Sequence, residues 1–121
     1  MGAGMSDQGA RNDRHVPALS KKVAYSRSAQ KRLSEARAKI VGVNATIRSA
    51  KIAGHLVVTK QLEDAERAVD ANLAAAEASL ERLRKSGEGD WKNLSIDADT
   101  AWENLSLSIK KLVARYTESK K

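Results

Sequence analysis

The chain has 121 residues, enough for one domain or one extended helical unit. It contains no Cys and no Phe, and only 3% of its residues are aromatic. Disulfides and thiolate metal sites are therefore excluded, and a thick aromatic core is too. With 31% charged residues, a formal charge of +7 and an apolar fraction rich in Ala, the composition fits a thin seam between solvated helices.

Residues 1–17 are rich in Gly, Ser, Asp, Asn and Arg and have no apolar period, so they read as a disordered tail. The tail lacks the apolar stretch of a signal peptide. Gly2 and Ser6 fit the loose N-myristoylation pattern, which chance also satisfies. Pro17, the only proline, suits the first turn of a helix, where its missing N–H costs nothing.

From Leu33 an apolar-or-small stripe runs through Ala36, Ile40, Val43, Ile47, Ala50 and Gly54 in steps of three and four, which is heptad spacing. From Val58 it continues through Leu62, Ala65, Val69, Leu73, Ala76, Leu80, Leu83 and Gly87. There each eleven residues hold two steps of four and one of three, a period that suits straight or slightly right-handed supercoils. Trp91, Leu94, Ala98, Trp102, Leu105, Ile109, Val113 and Tyr116 complete it. Strict alternation is absent, so no strands are expected.

Gly87 and Gly89 flank Glu88 just before Asp90, and two glycines weaken a helix by about 1 kcal/mol each. The expected architecture is all-α: a long helix over 18–86, merely kinked near 54–55, then a short helix over 90–117 capped by Asp90. The short helix folds back as an antiparallel coiled-coil hairpin of mixed heptad and eleven-residue periodicity. Its packing residues would be Leu80, Leu83, Trp91, Leu94, Trp102, Leu105 and Ile109, with the two Trp as anchors. Such a hairpin leaves the stripe from Leu33 to Ala50 uncovered, and that surplus predicts self-association, most simply a dimer.

The charge is uneven. Residues 1–55 hold eleven Lys/Arg against three Asp/Glu, and the remainder is close to neutral. The basic half can bind phosphates of nucleic acid or an anionic membrane surface, with Arg11, Arg14, Lys21, Lys22, Arg27, Lys31 and Arg32 as the candidate anion-binding residues. It can equally be a solvated helix face. Tyr25 is the one aromatic residue near these cations in sequence. Catalytic chemistry finds no footing. His15 and His55 stand forty residues apart, so no metal-ligand cluster forms, and no nucleophile–base pair is visible. Glu63, Asp64, Glu66 and Asp70 read as surface charge beside Lys60 and Arg67. No cofactor and no small-molecule substrate is expected.

One phrase occurs twice. Trp91-Lys92-Asn93-Leu94-Ser95 returns eleven residues later as Trp102-Glu103-Asn104-Leu105-Ser106. Together with Lys60-Gln61-Leu62-Glu63 and the run Leu80 to Gly87, it resembles a family of small bacterial coiled-coil proteins, some of them described as stress-response proteins. The resemblance covers residues 60–116. Gly89, Lys92 and the basic front half depart from it. It implies an all-helical, non-enzymatic, cytoplasmic protein and no particular mechanism. Function is expected to be that of a helical interaction or scaffold protein that self-associates through its stripe, in a role tied to stress. The alternative is an anionic-surface binder using residues 11–51.

Overall fold

A computed structural model describes residues 17–121 apart from 88, with backbone only for 17–20. The expected tail, Arg11, Arg14, His15 and the Gly2–Ser6 pattern lie outside the described residues. Three helices follow in order: α1 (Pro17–Ile52), α2 (Lys60–Lys85) and α3 (Trp91–Ser119). At 1.5 Å per residue α1 is about 54 Å long.

The long helix expected over 18–86 is two helices, and the hairpin is a three-helix bundle. The reason lies at Gly54. Its φ is +74°, a left-handed conformation that costs other residues about 1–2 kcal/mol. Around it the His55 N–H bonds the Ala50 carbonyl at 2.9 Å and the Gly54 N–H bonds that of Lys51 at 3.1 Å. This crossed pair is a Schellman stop, which satisfies carbonyls that a kink would leave open. The chain then runs extended to Thr59, whose hydroxyl accepts the Leu62 N–H at 3.1 Å and caps α2. Between stop and cap, Leu56 is buried. The Val57 N–H bonds the Ser119 carbonyl at 2.8 Å and the Lys121 N–H bonds that of His55 at 3.0 Å. This single bridge ties the α1–α2 connection to the C-terminal end of α3.

At the second connection, α2 ends at Lys85 and α3 begins at Trp91. The Ser86 hydroxyl and N–H both bond the Leu83 carbonyl. Asp90 occupies the cap position, but its carboxylate makes no capping hydrogen bond. Its charge still favours the positive end of the helix dipole.

The order is up-down-up. Arg37 meets Glu77 and Lys51 meets Glu66, so α1 and α2 run antiparallel. Tyr25 meets Asp99 and the Leu56–Lys120 bridge closes the other end, so α1 and α3 run parallel. The tightest pairing is α2 with α3, and α1 lies across both.

Burial follows the expected stripe closely on α2, where Leu62, Ala65, Val69, Ala76, Leu80 and Leu83 are buried. On α3 it does so in part: Ala98, Leu105 and Ile109 of the stripe are buried, joined by Ala101, Ser108, Leu112 and Ser119 from beside it. Val113 is left exposed while Leu112 is buried. The tryptophans fall beside this seam and are half-buried, as is Leu94. Leu62, Leu83, Leu105 and Leu112 are the deepest anchors, with Ile47 from α1. The uncovered surplus expected on the first helix is absent: Leu33, Ala36, Ile40 and Ile47 are buried inside one chain.

Two stability outcomes follow from this geometry. Gly54→Ala should lower the unfolding free energy by about 1–2 kcal/mol in urea titration, because the stop needs a positive φ. Leu105→Ala should cost about 2–5 kcal/mol by the same measurement, since its side chain is fully enclosed.

Candidate anion-binding face

The charge of the molecule is concentrated on one helix. Helix α1 carries nine Lys/Arg and a single acid, Glu35, whereas α2 and α3 are nearly balanced. The α1 cations are not equivalent, because the bundle sorts them by flank.

The α2 flank is neutralised. Glu66, Asp70, Glu77 and Glu81 recur on one side of α2 at steps of four and seven, and that side faces α1. Arg37 donates to Glu77, with Nε 2.9 Å from the carboxylate, and Lys51 lies 3.7 Å from Glu66. Arg48 shares a groove with Glu66 and Asp70. Each exposed pair contributes at most about 1 kcal/mol. Their larger effect is to orient α1 and spend its cations on that side.

The α3 flank is less occupied. Arg32 stands 3.9 Å from Asp99, the one acid of α3 paired with α1. The Tyr25 hydroxyl donates to the same carboxylate and lies 3.0 Å from the Ser95 carbonyl oxygen. The Tyr25 ring sits 6.4 Å from that of Trp91 in a tilted arrangement. Lys22 donates to the Ser86 carbonyl, at the negative end of α2. Tyr25 and Lys22 thus clamp the front of α1 to the α2–α3 connection.

Of the expected anion-binding residues within the described chain, Lys22 and Arg32 are therefore engaged internally. Lys21, Arg27 and Lys31 are exposed and have no ion-pair partner among the described residues, and the same holds for Lys39. Arg27 and Lys31 stand one turn apart on the outward ridge of α1. Lys39 turns toward α3, where it shares a groove with Trp102 and Lys110. Sequence separation hid this neighbourhood: Lys39 and Trp102 are 63 residues apart. Leu80, Leu83, Leu105 and Ile109 are buried in the core, Leu94 is partly buried against it, and Trp91 and Trp102 lie toward α1.

No group of three or more His, Cys, Asp or Glu that could hold a metal occurs among the described residues. No described helix is long and apolar enough to cross a membrane. The Tyr25 hydroxyl is held well above the usual tyrosine range, first by burial and then by the Asp99 carboxylate, with Arg32 opposing. Asp64, at the exposed start of α2, is held low by its hydrogen bond from Arg67. Comparison with family models, with curated proteins and with solved structures gives no match.

The raised Tyr25 group sets a pH dependence. Its protonated form is favoured by folding, so the stabilisation is complete below about pH 10 and is lost as pH rises beyond the ordinary tyrosine range. Tyr25→Phe should lower stability at pH 8 and shrink the loss between pH 8 and pH 11. Urea midpoints of both proteins at the two pH values check this.

Proposed function

We propose that the chain is a non-enzymatic helical interaction module whose first helix docks on a polyanionic, phosphate-bearing partner. The observation that carries the reading is the segregation of charge: α1 holds nine cations against one acid, on a bundle whose other helices are nearly neutral. The apolar side of α1 is used inside the chain, so its outward surface is what remains for a partner. A solvated helix would more often balance its charges, as α2 does with Lys60–Asp64, Arg67–Asp64 and Lys85–Glu81. The resemblance over residues 60–116 implies a non-enzymatic role.

Retention on a phosphate-rich polyanion should be strong at low salt and fall steeply as salt rises. Replacing Arg27 and Lys31 together by Glu should reduce the salt slope by about 2 and leave the helical content unchanged. Heparin chromatography and circular dichroism measure the two effects. Elution of the variant with the parent would remove the outward ridge from the reading.

The self-associating scaffold, in the stress-linked role the resemblance implies, stands as a second reading on different ground from the buried stripe. Ile96 and Leu107, eleven residues apart on α3, are 63% and 58% exposed beside the half-buried Trp102. Such a row suits a helix of a second copy. Sedimentation across a hundredfold concentration range should then show a dimer that Leu107→Lys dissolves. A monomer mass throughout would end this second reading.

A further inference from the structure

The structure brings an aromatic ring to the basic strip that sequence order kept apart. Trp102 lines two neighbouring grooves. In one it stands with Ala36 and Lys39 of α1 and Lys110 of α3; in the other with Arg32, Ser106 and again Lys110. Lys21, Arg27 and Lys31 continue the cations along α1 away from the ring. Between Lys21 and Lys39 the strip runs about 27 Å at the helical rise. That is the reach of several nucleotides. Three acids lie close. Asp99 is taken up by Arg32 and Tyr25, whereas Glu35 and Glu103 remain and limit affinity at the ring.

We propose that this strip binds single-stranded nucleic acid, with a base stacked on Trp102 and the backbone phosphates led along Lys110, Lys39, Lys31, Arg27 and Lys21. This rests on the polyanion reading above and names its ligand. Three observations favour a single strand over other phosphate surfaces. A half-buried indole beside lysines offers a π-face to an unstacked base, which a duplex keeps inside its stack. The groove of Lys39 and Lys110 lies between α1 and α3 and the other runs along α3 to Arg32, so together they offer a path for one strand past the ring. A bilayer surface instead calls for a basic helix whose own apolar side is free to enter lipid, whereas that side of α1 is enclosed by α2 and α3 and the exposed Ile96 and Leu107 stand on α3.

Trp102 is also the reporter. In Trp91→Phe it is the only tryptophan. We expect a fluorescent-free thymidine oligonucleotide of about twelve residues, long enough to span the strip, to quench its emission at low salt. The apparent affinity should fall with salt at a slope of about −3.5, from five backbone contacts. Trp102→Ala should weaken binding, read by anisotropy of a labelled oligonucleotide, about tenfold or more. Because that variant removes packing, Lys39→Glu with Lys110→Glu serves as the surface counterpart and should weaken binding by a similar factor with circular dichroism unchanged. The same titration is run with the hybridised duplex and with phosphatidylserine vesicles. Binding of duplex or vesicles as tight as that of the single strand, with Trp102 emission unmoved, would overturn the stacking proposal while leaving the polyanion reading of α1 in place. Absence of binding to all three at low salt would overturn both.

Discussion

Everything distinctive about this bundle depends on how α1 seats itself in the angle between α2 and α3. The α2–α3 pair is the firm part, closed by Leu62, Leu83, Leu105 and Leu112, all fully enclosed. Helix α1 adds a narrow row, Leu33, Ala36, Ile40 and Ile47, and that row has few members for so long a helix. Burying a Leu or Ile is worth about 1.5–3 kcal/mol, so few residues hold a long helix. Ion pairs along one flank and a clamp at Tyr25 and Lys22 complete the seat. None of these polar contacts is strong alone. Together they fix which side of α1 looks outward.

That seating is also what gives the surface its character. Acids recurring along α2 meet the α1 cations on one flank and neutralise them. On the other flank α3 supplies little beyond Asp99, and the cations there stay available. The asymmetry would vanish if α1 were rotated by a quarter turn, because Arg37 and Lys51 would lose their carboxylates and Leu33 would enter water. The proposed function rests on the same side-chain order that sets the docking angle. The ridge at Arg27 and Lys31 is basic because no neighbouring helix reaches it.

The paired tryptophans illustrate the same logic. An eleven-residue spacing returns a side chain to almost the same face of a straight helix. Trp91 and Trp102 accordingly share a side of α3. That side is not the tight seam with α2, which α3 makes with small and leucine side chains. The tryptophans turn toward α1, where Trp91 meets Tyr25 and Trp102 borders the lysines. A bulky ring fits the shallower junction with a loosely seated helix better than a close seam lined by Ala98, Ala101 and Ser108.

Residue order alone determined that the protein is all-helical, where the second connection falls, and which side of α2 is buried. These are local matters: periodicity selects a helix, Gly87 and Gly89 interrupt it, and the 3–4 steps of α2 mark a single face. It also determined that the positive charge gathers in the front half. What only the tertiary structure decided was the number of helices and the partners of each face. A lone glycine such as Gly54 is compatible with a kink or a stop, and Thr59 becomes a cap only once the chain has turned. The free energy that selects the stop comes from burying Leu33 to Ile47 against residues far along the chain, which no local pattern encodes. For the same reason the neighbourhood of Lys39, Lys110 and Trp102 exists only after folding.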